Sequence, residues 1–151
     1  MKVDIYSRKT IEQLLKGCFH DNVAVISFYD PELIEIDKDY TPVNFSNKVN
    51  RVFLIGLPDI DIDSLEDYGL TYETFFPEAH DLARFINSAY NDGLDIICQC
   101  EYGESRSAGC AAAILEHFYR TGISIFADYR YCPNQMVYHK VFDFLKIVNT
   151  V

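Results

Sequence analysis

The run Cys100-Glu101-Tyr102-Gly103-Glu104-Ser105-Arg106-Ser107 sets a thiol and a guanidinium six positions apart, with a glycine between them and a hydroxyl just after. An apolar run over residues 94–98 precedes it, and a small-residue stretch over 108–119 follows. A strand, a tight loop and a helix start in that order make an anion cradle, because loop N–H groups and the helix dipole both favour negative charge. Arginine adds a planar fork that grips two oxygens of a phosphoryl group. A cysteine at the mouth of such a field has its thiolate stabilised. Together these residues describe a sulfur nucleophile aimed at a bound phosphorus atom. The competing reading is a buried structural cysteine at a strand end, with the arginine paired to a nearby carboxylate. Composition weighs against it, since the four-residue pattern is expected by chance only about 0.002 times in such a chain.

The surrounding pattern supplies elements to hold that loop. Residues 3–7, 23–28, 52–57 and 94–98 read as strands, the last three as dense apolar runs typical of buried strands. Residues 10–16 read as a helix with Ile11, Leu14 and Leu15 on one face and Gly17 ending it. Asp30-Pro31 breaks the second strand, and residues 30–49 read as a charged, irregular surface excursion. Residues 58–71 are acidic and read as a loop with about one helical turn. The spacing of Phe76, Ala79, Leu82, Ala83 and Ile86 predicts an amphipathic helix over 74–90, ended by Asn91-Asp92-Gly93. Residues 107–119 are helical, 123–131 a short helix and turn, and Asn134 caps a last helix through 148. Alternating strands and helices predict an α/β sandwich of three layers with a mainly parallel central sheet flanked by helices. Ligands of such sheets bind beyond the C-terminal strand ends, where the Cys100 loop falls and beside which the 52–57 strand should open.

The 151 residues suffice for one domain, 1–151, with a full core. A net charge of −10 opposes binding to nucleic acid or to anionic membrane surfaces. No membrane span or secretion signal is legible, so a cytoplasmic protein is expected. Five cysteines cannot all pair internally and would be free thiols in a reducing compartment. Cys18, Cys110 and Cys132 read as packing residues. Cys98 shares a strand face with Cys100, where it either packs or captures an oxidised Cys100. His20, His80, His117 and His139 lack metal-ligand spacing, and no nucleotide fingerprint is present, so neither a metal nor an organic cofactor is expected.

The Cys100 run resembles the signature loop of the cysteine-dependent protein tyrosine phosphatases, most of all the compact dual-specificity branch. There, His-Cys is followed by five residues, Arg, and Ser or Thr. Phe75-Phe76-Pro77-Glu78-Ala79 resembles the helix start before that branch's signature strand, and Pro133-Asn134 the start of its closing helix. The resemblance spans roughly Arg51 to the C-terminus and implies a phosphotyrosine-phosphatase-like fold. It also implies hydrolysis of phosphate monoesters, on protein phosphotyrosine and phosphoserine or phosphothreonine, through a cysteinyl-phosphate. Cys100 is then the nucleophile. The loop Glu101, Tyr102, Gly103, Glu104, Ser105 and Arg106 binds the phosphoryl oxygens, and Ser107 hydrogen-bonds the sulfur as it leaves. The general acid lies in the acidic loop. The branch's Ile-Pro pattern selects Asp61, and the Trp-Pro-Asp loop of the larger phosphatases selects Asp59.

Two departures stand out. Gln99 replaces the usual His and carries no charge to support the thiolate. Glu101 and Glu104 bring carboxylates to the loop mouth, which disfavours highly anionic ligands and favours a phosphorylated residue flanked by Lys or Arg. Two rival readings remain: a catalytically weak module that binds phosphorylated partners, and a thiol redox enzyme built on Cys98 and Cys100.

Overall fold

The computed structural model describes residues 1–19, 21–45 and 48–149, so the expectation for His20 lies outside the described residues. Its sheet has four strands, β1 (Val3–Ser7), β2 (Val23–Tyr29), β3 (Arg51–Gly56) and β4 (Asp95–Cys100), in the order β1-β4-β2-β3 and all parallel. The helices are α1 (Arg8–Leu15), α2 (Pro31–Ile36), α3 (Ala79–Asn91), α4 (Arg106–Tyr119), α5 (Ile123–Phe126) and α6 (Gln135–Asn149). Because β4 is threaded between β1 and β2, its C-terminal end is flanked by the ends of both neighbours. The segments that follow β1 and β2 therefore converge on the residues after Cys100.

Strand alternation sorts the core into two layers. Ala24, Ile26 and Phe28 of β2 and Ile96, Cys98 and Cys100 of β4 face the larger core with Leu82, Ile86, Ile114 and Val137. Val23, Val25 and Ile97 face the other way, against Ile11 and Leu15 of α1. Burial on both faces explains why these strands read as continuous apolar runs.

Three expectations need correction. Residues 30–49 contain α2, and Val43, Phe45 and Val49 close the second core rather than lying on the surface. Their apolar side chains are spaced irregularly, so no period betrayed them. The helix expected from 74 begins at Ala79. Phe76 adopts a left-handed φ of 58° before Pro77, a turn that the helix cannot enter, yet its ring is buried and compensates for the strain. Cys18 and Cys132 are exposed rather than packed, whereas Cys98 and Cys110 are fully buried.

Lys140 is almost wholly buried on α6. It donates to the Tyr72 carbonyl at 2.8 Å and sits 4.7 Å from the Tyr72 ring centroid, clamping the end of the acidic loop to α6. Burial pulls its pKa down, while Glu73 and Asp143 oppose that shift. No helix among the described residues is long and apolar enough to cross a membrane.

Candidate active site

Cys100 ends β4 with its sulfur 3.1 Å from Ser107 Oγ, in the first turn of α4. Between them the loop turns its carbonyls outward. Glu101 O accepts from Arg8 N at 3.0 Å, Glu104 O from Cys132 N at 2.9 Å, and Ser105 O from Asn134 N at 3.0 Å. Among the described residues, no protein acceptor takes the N–H groups of residues 102–105. Ser105, the residue before α4, makes no capping bond, so the helix start keeps its unpaired donors as well. The side chains of Tyr102 and Glu104 point to solvent and that of Glu101 is half-buried.

Gly103 makes this loop possible. Its φ is 68°, and an added Cβ would stand 2.6 Å from Ser7 N and 2.8 Å from the Tyr6 carbonyl carbon. Gly103→Ala is expected to lose more than about 2 kcal/mol of stability and to weaken inorganic phosphate binding. Urea midpoints and the inhibition constant for phosphate read both effects.

Arg106 is 4% exposed and has its ion-pair partner after all, donating from Nη1 to Asp30 Oδ1 at 2.8 Å and to Leu57 O at 2.7 Å. Only Nη1 is engaged in this way. Nε is buried and has no partner among the described residues. The pair thus orients the fork and leaves its inner edge free to bind. Asp30 sits directly after β2, which explains why it leaves the α2 N-terminus without a side-chain cap. Sequence reading treated Asp30-Pro31 only as a strand breaker. Its place at the end of a strand beside the site was the signal available.

Gln99 does not face the sulfur. It lies on the opposite sheet face, accepts a bond from Ser27 Oγ of β2 and donates from Nε2 to its neighbour's carbonyl, Cys100 O, at 2.9 Å. It therefore fixes the backbone at the end of β4 without charge. Cys98, by contrast, shares the Cys100 face. Burial pushes its thiol well above the ordinary value, and a bond to Cys110 adds to this. A thiol held protonated in the core is a poor redox partner.

The two candidate acids part company. Asp59 is exposed, and its Oδ1 accepts from Ser105 Oγ at 2.8 Å and from Asn134 Nδ2 at 3.0 Å, which places it on the signature loop. Asp61 is turned to the start of α6, where its oxygens accept from Gln135 N at 3.0 Å and from Met136 N at 3.1 Å. Asn134 joins the two regions. Fully buried, it donates to Asp59 and to Ile60 O and accepts from Val137 N at 2.9 Å, so the expected cap is also the pin that holds the acidic loop against the signature loop. Among the described residues no cluster of three or more His, Cys, Asp or Glu is arranged to hold a metal ion.

Beside the loop opens a cleft of about 210 Å³ whose lining includes Asp30, Glu32, Pro58, Asp59, Ile60 and Tyr68.

No protein-family model matches the chain, and no curated protein matches it in sequence. Solved structures match along nearly its whole length, and they define its class: the chain has the phosphotyrosine-phosphatase-like fold. The structure of the human tyrosine phosphatase-like serine/threonine/tyrosine-interacting protein matches with a TM-score of 0.57 at 16% identity, over 95% of this chain and 87% of that one. PTPMT1 in complex with PI(5)P gives 0.57 at 16%, over 99% and 93%. Human DUSP28 gives 0.54 at 13%, over 98% and 94%.

Proposed function

We propose that this chain is a phosphoric monoester hydrolase acting on phosphorylated protein through a cysteinyl-phosphate on Cys100. The observation that carries this is Arg106 Nε, a buried donor without a partner among the described residues. It stands at the end of a loop whose N–H groups at 102–105 are likewise unclaimed among those residues. Burying such groups is unfavourable unless something accepts their bonds. A phosphoryl group supplies the acceptors, and the Cys100 sulfur lies in the same loop.

The Cys100 thiolate attacks phosphorus as the P–O ester bond breaks, and the leaving oxygen takes a proton from Asp59. Water then attacks phosphorus with Asp59 as base. The P–S bond breaks, and Ser107 donates to the departing thiolate. Asp59 takes this role in place of Asp61 because it touches the signature loop through Ser105, whereas Asp61 is turned to the N–H groups that open α6. Asp59→Asn is expected to flatten the high-pH limb of the rate profile and to lower kcat on a phosphoserine peptide about 100-fold. Asp61→Asn should leave that limb in place and lower the melting temperature through lost contacts to α6. A flattened limb in the Asp61 variant alone would return the acid to Asp61.

Glu32 and Asp59, the carboxylates of the cleft that are not paired with Arg106, support a substrate with Lys or Arg beside its phosphorylated residue. We propose a cytoplasmic location, a reducing compartment in which five cysteines, an odd number, would stay free thiols.

A further inference from the structure

On the other side of the signature loop the charge reverses. A groove of about 620 Å³ runs along the exposed face of α1 and ends on Glu101 and Tyr102 of that loop. Lys9, Gln13 and Lys16 line it at helical spacing, with Arg8 and Glu12. Arg8 is already engaged, by Nε to Glu12 at 3.2 Å and by Nη1 to Thr41 O at 2.6 Å. Lys9 and Lys16 are exposed and have no partner among the described residues. With Arg8 and Glu12 neutralising each other, two free ammonium groups face the single carboxylate of Glu101. Three of the 13 Lys and Arg of a chain with net charge −10 thus line one groove at the mouth, while among the described residues no Lys or Arg lines the cleft opposite.

We propose that this groove receives an anionic side chain of the same phosphorylated polypeptide, a carboxylate or a second phosphoryl group, while Cys100 attacks the first phosphoryl group. Substrates are then read with a cation on the Asp30 side and an anion on the α1 side, which fixes the direction of the peptide across the mouth. This rests on the phosphatase reading. Tyr102, 79% exposed on the loop between the two clefts, stands where the peptide must cross. A polypeptide fits better than a lipid headgroup, because only a chain presents opposite charges on both sides of one phosphorylated residue, and the overall negative charge opposes an anionic membrane surface.

The test uses one phosphopeptide frame with Ala, Glu or phosphoserine scanned at each flanking position, assayed on the full chain and on the double variant Lys9→Glu, Lys16→Glu. The quantity read is the kcat/KM ratio of anionic to neutral peptide within each protein. A gain of about fivefold is expected for an anion on one side only, falling with salt and lost or inverted in the double variant. Equal ratios in both proteins would overturn the proposal. So would a lysine-dependent gain seen only with a bisphosphorylated inositol lipid. Hydrolysis of p-nitrophenyl phosphate, run alongside, separates the two failures. Turnover without a flank effect sinks the groove alone, and no turnover sinks the phosphatase reading and the groove with it.

Discussion

Cys100→Ser is expected to lower hydrolysis of p-nitrophenyl phosphate by at least about 10⁴-fold while inorganic phosphate still binds. The side chain is 2% exposed and its sulfur touches Ser107 Oγ, so a hydroxyl fits the space without disturbing the core. What changes is the nucleophile. A thiol yields an anion near neutral pH, whereas a serine hydroxyl needs a base, and Ser107 is a hydroxyl that serves only as a hydrogen-bond partner. Phosphate binding should persist, because the donors belong to Arg106 and to the backbone of the loop. The rival redox reading, exchange between Cys98 and Cys100, would lose its thiol in the same variant but would survive Arg106→Ala, which hydrolysis would not. Cys98 is a free thiol hydrogen-bonded to Cys110 in the core, and burial holds it protonated there.

The second large effect is expected at Arg106. Arg106→Lys should reduce kcat/KM by about 10³-fold and raise the inhibition constant for phosphate at least about tenfold. An ammonium reaches Asp30 or the phosphoryl group as a point charge and cannot serve both with a fixed fork. The arginine divides these tasks, with Nη1 on Asp30 and Leu57 O and Nε left for the ligand. Arg106→Ala should add a stability loss that the lysine variant largely avoids, because the partly buried Asp30 carboxylate and the Leu57 carbonyl then lose their donor. Steady-state kinetics, phosphate inhibition and urea midpoints on both variants distinguish these effects. A lysine variant within a fewfold of the wild type would show that the fork does not hold the phosphoryl group.

Much of this was legible in the residues because local order and global fold agree there. Cys100, Gly103, Arg106 and Ser107 lie within eight positions, so their spacing alone encodes a loop between a strand and a helix. The two central strands, β2 and β4, were legible because burial on both sheet faces writes a dense apolar run. What escaped depends on contacts across the chain. Asp30 meets Arg106 from 76 positions away, and Asn134 meets Asp59 from 75, so neither pairing leaves a local pattern. The choice between Asp59 and Asp61 stayed open in the sequence for a related reason. Two carboxylates two positions apart share every local feature, and only the start of α6, brought in from the far end of the chain, takes one of them away. That Gln99 donates a bond without charge was legible from its side chain, whereas its contact with Ser27 of β2 was not.

The most direct test is to look for phosphorus on sulfur. In Ser107→Ala the departing thiolate loses its donor, so breakdown of the intermediate should become the slow step. Rapid mixing with p-nitrophenyl phosphate should then release a burst of nitrophenol equal to the enzyme present. Acid-quenched protein should carry one phosphoryl group, mapped by mass spectrometry to Cys100. Steady turnover with no burst and no adduct on Cys100, in a variant still dependent on Arg106, would contradict the covalent mechanism and the account built on it.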